Sequence, residues 1–250
     1  MQKTGSSIVI LKQVDSTNNY AMAKVHAGMA KHGDSYFTTE QTAGKGQRGK
    51  QWDTANGVNI ALSLILEVKL LNASQQFQLL VSVALGCYDF FARYAGQETS
   101  IKWPNDIYWR DRKAVGVLIE NVFQGGNWNF AVAGIGVNIN QTNFDTSLKN
   151  PVSLKQITGK TFELELLAEE LKNDVLVRYD SIKKENIDSS LAEYNSHLFG
   201  LNKRVHLKKG PIHLETTILG VSSFGQLITS DAQQERRFDF GEVEWVMRDV

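Results

Sequence analysis

The stretch that decides the fold class reads Lys113-Ala114-Val115-Gly116-Val117-Leu118-Ile119-Glu120 and then, past Gln124-Gly125-Gly126-Asn127, Trp128-Asn129-Phe130-Ala131-Val132-Ala133-Gly134-Ile135-Gly136-Val137-Asn138-Ile139. Both runs are apolar and rich in β-branched residues, the composition of strands. Short glycine-rich connections join antiparallel neighbours, because a parallel pair needs a crossover of about a dozen residues or more. Ile101 to Trp109 is a third run of the same kind, closed by Arg110-Asp111-Arg112. Three strands in succession with tight turns exclude a purely parallel, doubly wound sheet.

Working outward, Ile8 to Val14 reads as a strand, and Asp15-Ser16-Thr17-Asn18 is a run of short polar residues that caps a helix from about Asn19 to Ala30. Ser35 to Thr39 is a short aromatic strand, and Val58 to Leu66 is apolar enough for an interior one. Ser74 is the expected cap of a helix in which Phe77, Leu80, Val81, Ala84, Leu85, Tyr88 and Phe91 recur at helical spacing. From Phe162 to about Tyr194 the pattern is helical again, with Leu164, Leu167, Leu171, Val175 and Tyr179 on one face. After His197 come short alternating runs, Arg204 to Leu207, Ile212 to Val221, Gln226 to Thr229 and Arg236 to Trp245. The expectation is an α+β chain: a mixed, mainly antiparallel sheet with flanking helices over residues 1–196, then a small β-barrel or sandwich over 197–250 that needs docking to be stable.

The 250 residues carry 27 Lys and Arg against 27 Asp and Glu, so the formal charge is zero. That balance argues against affinity for a nucleic-acid backbone, which shows as a basic excess. The single cysteine, Cys87, lies in an apolar run and reads as a small buried hydrophobe; a disulfide or Cys-rich zinc site is excluded. His26, His32, His197, His206 and His213 lack metal-ligand spacing, and no Gly-x-Ser-x-Gly elbow is present. The amino terminus shows neither leader nor membrane span, so a reducing, cytoplasmic setting is expected.

Chemistry concentrates in Gly44-Lys45-Gly46-Gln47-Arg48-Gly49-Lys50-Gln51-Trp52. The loop nearly satisfies a P-loop, but Gln51 stands where a Mg²⁺-binding hydroxyl belongs and Trp52 to Gly57 is turn-forming. What survives is a glycine-cation loop suited to an anion, with a solvated surface loop as the plain alternative. In Lys102-Trp103-Pro104-Asn105-Asp106, Pro104 places a bend or edge, Trp103 reads as packing and Asn105-Asp106 as a turn, while Lys102 is set to aim an ammonium into a pocket. Lys113 stands at a strand entrance, where cations are commonly just solvated. Gly116 inside a strand marks close approach by a ligand or another backbone, and Gly134 and Gly136 in one apolar strand point to a flat wall against which a planar group can lie.

Taken in order, Asp15 to Asn18, Gln41 with the loop Gly44 to Trp52, Lys102 to Asp106, Lys113 to Gly116 with Glu120, and Gly134 to Asn138 strongly resemble the biotin protein ligase family over roughly residues 10 to 140. The resemblance implies a catalytic core like that of class II aminoacyl-tRNA synthetases with an SH3-like C-terminal domain. It further implies ATP-dependent, Mg²⁺-assisted activation of biotin to biotinyl-5′-AMP, followed by transfer to a lysine of a biotin carboxyl carrier protein. Ser16, Thr17, Asn18 and Gln41 are implied to read the ureido ring, with Lys45, Gly46, Gln47 and Gly116 completing the biotin site. Arg48, Trp52, Asn105, Lys113 and Asn138 are implied on the nucleotide side, and Lys113, Arg48 and Lys102 as the catalytic cations; the ligands of Mg²⁺ are left open. Family members often pair through sheet edges, so a homodimer is open.

Two departures stand out. Gln47 occupies a position where many members carry arginine, which removes a charge that would retain the adenylate. Few residues precede Asp15, so the expected form lacks a helix-turn-helix DNA-binding domain. The competing readings are a lipoate ligase or acyltransferase, whose substrate has no ureido group to satisfy, and a non-catalytic biotin or nucleotide sensor.

Overall fold

The computed structural model describes residues 7–52, 55–69, 71–182, 187–232 and 234–246. In chain order the elements are β1 (Val9–Ile10), α1 (Thr17–His26), β2 (Ser35–Thr38), β3 (Ile60–Glu67), α2 (Gln76–Ala95), β4 (Thr99–Lys102), β5 (Asp106–Trp109), β6 (Arg112–Gln124) and β7 (Asn127–Val137). Then follow α3 (Leu154–Thr158), α4 (Leu164–Ile182), α5 (Ile187–Ser196), β8 (Arg204–Lys209), β9 (Ile212–Val221), β10 (Leu227–Ser230), β11 (Glu235–Phe238) and β12 (Glu244–Trp245). A seven-stranded sheet has the order β1-β2-β3-β7-β6-β5-β4 and a five-stranded one β11-β10-β9-β8-β12. Among the described strands β1 and β2 pair parallel and the other strand pairs are antiparallel. The α+β expectation with a mixed, mainly antiparallel sheet holds.

Several boundaries differ, each for a physical reason. Ile101 to Trp109 is not one strand but the β4–β5 hairpin, turned at a cis Trp103–Pro104 peptide, so Lys102 and Asp106 face each other across the turn. The helical pattern from Phe162 divides into α4 and α5, with 183–186 outside the described residues. The helix assigned to Ser74 is instead capped by Asn72 and Gln75, which bond reciprocally around a single 3-10 turn before α2. Arg236 to Trp245 contains two strands separated by a turn. The short α3 was not expected; Ser153 and Gln156 form its capping box. Asp53 and Thr54, part of the turn expected after Trp52, lie outside the described residues.

β3 is buried along nearly its whole length because helices cover both faces of the large sheet. Leu62, Leu64 and Leu66 point into the larger core with α2 and α4, while Ile65 joins Val132, Val122, Ala21 and Val25 beneath α1. Cys87 is fully buried in the larger core and burial pushes its thiol far up, leaving it inert as a nucleophile.

Candidate active site

The period-two geometry of strands sends residues 61, 63 and 65 of β3 to the α1 face, together with 132, 134 and 136 of β7 and 116, 118, 120 and 122 of β6. Register then lines these up in rows. Ala61, Gly136 and Gly116 form one row of minimal side chains, and Ser63, Gly134 and Leu118 form the next. A Cβ on Gly134 would collide with the Asn18 carboxamide, and one on Gly136 or Gly116 with the Trp52 indole. Glycine is therefore required in these strands by close approach from above, and the flat wall anticipated from the sequence carries the indole of Trp52.

The strand-to-helix turn does not cap its own helix. Ser16 is the N-cap of α1 but makes no side-chain cap bond, and Thr17 and Asn18 are buried with their polar groups turned to the sheet. Gln41 reaches across instead: its Oε1 accepts from the Thr17 backbone N–H at 2.9 Å and from the Thr17 hydroxyl at 3.2 Å. The Ser63 hydroxyl donates to Asn18 Oδ1 at 2.6 Å and lies 2.8 Å from Thr17 Oγ1. Asn18 Nδ2 donates to Glu120 Oε2 at 2.8 Å, and Glu120 Oε1 lies 3.7 Å from Lys45 Nζ. Both ends of the Asn18 amide are thus held, which fixes its orientation. Ser63 was missed from the sequence; its signal was a lone hydroxyl in the apolar run 58–66, on the same face as the glycines.

The loop after β2 closes through the Lys45–Gln51 bridge and the Gly46 N–H to Lys50 carbonyl bond at 2.8 Å. Gln47 Nε2 donates to the Val117 carbonyl at 3.2 Å, and Asn105 Nδ2 donates to the same carbonyl. Arg48, in a left-handed conformation (φ 55°), turns the other way: it donates to the Gly241 carbonyl at 3.2 Å and lies 6.0 Å from the Phe240 ring. The structure therefore does not join Arg48 to Lys113; the loop's arginine contacts the turn between β11 and β12.

Lys113 lies beside the glycine row. Its Nζ is 2.8 Å from Asp106 Oδ2 and 5.6 Å from the Trp52 ring centre. A register shift between Ile107 and Tyr108 in the β5–β6 ladder sets Tyr108 opposite Lys113. Lys102 donates to the Tyr108 hydroxyl at 3.2 Å; burial pushes its ammonium down to about 8, against the pull of Asp106 and with further push from Lys113, Lys149 and Lys50. Asn138, buried at the end of β7, holds the entrance to β6: its backbone N–H donates to the Ala114 carbonyl at 3.0 Å and its side chain to that of Lys113 at 3.4 Å. Trp103 is packing, as read: its indole N–H donates to the Gly225 carbonyl at 2.9 Å.

One sheet face thus carries the Thr17, Asn18, Gln41 and Ser63 network, a glycine row beneath Trp52, and Lys113 beside that row. The chain belongs to the biotin/lipoate A/B protein ligase family, whose profile matches residues 10–138. It is 26% identical over 229 residues to the bifunctional ligase/repressor BirA of Escherichia coli, spanning 91% of this chain and 70% of that protein. With the biotin--[acetyl-CoA-carboxylase] ligase of Paracoccus denitrificans identity is 32% over 170 residues, 64% of this chain and 69% of the other. The fold matches a biotin protein ligase from Aquifex aeolicus, solved in complex with biotin and ATP, with a TM-score of 0.80 at 22% identity over 96% of this chain and 98% of that one.

Proposed function

We propose that this chain is an ATP-dependent biotin protein ligase, which converts biotin to biotinyl-5′-AMP and passes the biotinyl group to a lysine of a biotin carboxyl carrier protein. The observation that carries the reading is the placement of the Thr17–Asn18–Gln41–Ser63 network and Lys113 on one sheet face, on either side of the glycine row that carries Trp52. A ureido ring brings one carbonyl and two N–H groups that must all be paired when buried, each unpaired one costing about 1–3 kcal/mol. Lipoate brings none of these, and a site built for hydrogen bonds rejects an analogue lacking them by factors on the order of 10⁴. Ser16, Thr17, Asn18 and Gln41, with Ser63 added, are assigned to that ring, and Lys45, Gly46, Gln47 and Gly116 to the valeryl chain and its carboxylate.

Activation brings a carboxylate oxygen onto the α-phosphorus, with pyrophosphate leaving. Two unit anions at 4 Å repel by about 4 kcal/mol at an effective dielectric of 20, so a cation between them returns a contribution of the same order. Lys113 is assigned that place and Lys102 the phosphates, with Trp52, Asn105 and Asn138 lining the nucleotide side. Arg48 serves the loop as its link to the β11–β12 turn. Mg²⁺ enters with the triphosphate as part of the substrate, since it keeps phosphate and water oxygens as ligands; among the described residues no cluster of three or more His, Cys, Asp or Glu could hold it alone. In the second step a neutral carrier amine attacks the acyl carbon, the amide forms, AMP leaves and one amine proton is lost. No enzyme nucleophile is needed, in keeping with the buried Cys87.

Residues 1–196 then constitute a catalytic unit of the class II aminoacyl-tRNA synthetase type and 197–250 an SH3-like unit. No helix among the described residues is long and apolar enough to cross a membrane. The test is transfer of labelled biotin from ATP and biotin to a purified carrier domain. Label that survives denaturation and disappears when the carrier's lysine is replaced by arginine supports the reading; label on neither carrier defeats it.

A further inference from the structure

Lys102 lies where the two sheets meet, and three aromatic rings surround its ammonium. Nζ is 4.5 Å from the ring centre of Tyr108, 5.5 Å from Trp245 and 5.9 Å from Phe199. The rings brace one another: Phe199 meets Trp245 edge-on at 5.5 Å and Tyr108 at 5.6 Å. Each wall comes from a different part of the chain. Tyr108 is on β5, Phe199 follows α5 and is tied to β4 by its N–H to the Ile101 carbonyl at 2.8 Å, and Trp245 is on β12 of the five-stranded sheet. Rings packed on several sides of an amine keep water from it, and that loss of hydration disfavours its charged form.

We propose that Trp245 and Phe199 are positioning residues for Lys102, holding its ammonium away from bulk water and directed at a bound triphosphate. The proposal rests on reading the adjoining site as an ATP site. Its physical content is a proton linkage. Burial already pushes Lys102 down to about 8, with Asp106 pulling it up and Lys113, Lys149 and Lys50 pushing it further down. A polyanion beside the amine favours the charged form, so nucleotide binding takes up a proton above that pH. ATP therefore binds best below about pH 8, and its KM rises as pH climbs past the Lys102 midpoint.

The test uses the full chain with ¹³Cε-labelled lysine, the Lys102 resonance being assigned by its loss in Lys102→Arg. In the ligand-free protein Lys102 titrates near 8, Trp245→Phe keeps that midpoint, and Trp245→Ala, which admits water, moves it toward the ordinary lysine value of about 10.4. Phe199→Leu carries the same comparison if Trp245→Ala does not fold. The KM for ATP in pyrophosphate exchange rises above pH 8 in the wild type, and in Trp245→Ala that rise moves up with the midpoint. An ordinary wild-type midpoint, or one unmoved in both Trp245→Ala and Phe199→Leu, overturns the proposal. A responsive midpoint in a protein without biotin-dependent exchange upholds the cage and removes the enzyme reading instead, so the two failures are distinguishable.

Discussion

Lys113 and Asp106 form an ion pair of 2.8 Å at the open end of the glycine floor, with side chains 30% and 29% exposed. A pair this accessible to water contributes only about 0–1 kcal/mol, so the arriving carboxylate and phosphate can replace the Asp106 carboxylate at small cost. Lys113→Met is therefore expected to lower kcat/KM for adenylate formation by on the order of 10²–10³ while moving Tm by no more than about 4 °C. Asp106→Asn, which frees the ammonium, is expected to change the rate less than Lys113→Met does. Stopped-flow detection of pyrophosphate together with a thermal melt reads both. Equal losses in the two variants would mean that Asp106 has a part of its own in the reaction.

Ser63 holds Asn18 Oδ1 at 2.6 Å beneath α1. Removing that hydroxyl by Ser63→Ala forfeits about 0.5–1.5 kcal/mol of orientation, a rise of roughly 2- to 12-fold in the biotin KM. The ATP KM is expected to stay put, because Ser63 lies a row away from the Trp52 contact. A parallel rise in both constants in steady-state kinetics would place Ser63 in general packing.

Gly136 supports the Trp52 indole directly, and a Cβ there would enter the ring. Gly136→Val suits a β-strand yet is expected to expel the indole from the sheet face, shifting tryptophan emission to the red and weakening nucleotide binding. Unchanged emission with wild-type ATP affinity would show that the floor does not carry Trp52.

Gly86 separates fold from site. It lies in α2 where a Cβ would press on the backbone of Val175 in α4, on the helical side of the core rather than on the α1 face that carries the site residues. Gly86→Ala is expected to cost about 1–3 kcal/mol by overpacking, a Tm loss of a few degrees. The biotin and ATP KM values should be retained below that melting point. A loss of substrate affinity at temperatures where the variant is folded would couple the helix pair to the pocket.

The strands that build the site were legible because their signal is local. The apolar runs 114–123 and 128–139 read as strands, and Gly134 and Gly136 within the second pointed to a flat wall. Pro104 announced a bend, but not that the bend turns a full hairpin, since turn geometry depends on the partner strand. Thr17 and Asn18 read as caps, and only tertiary structure diverts them: Gln41 takes both the Thr17 N–H and its hydroxyl, while Asn18 turns to Ser63 and Glu120 on the sheet face. The direction of Arg48 was not legible at all. Its backbone has positive φ, an uncommon state for a bulky residue, and its partner Gly241 lies far along the chain.

Exchange of labelled pyrophosphate into ATP tests the central claim most directly, because it reports adenylate formation without any carrier. The account predicts exchange that requires biotin, is not supported by lipoate and falls by on the order of 10²–10³ in Lys113→Met. Exchange driven equally by lipoate, or undiminished without Lys113, would contradict it.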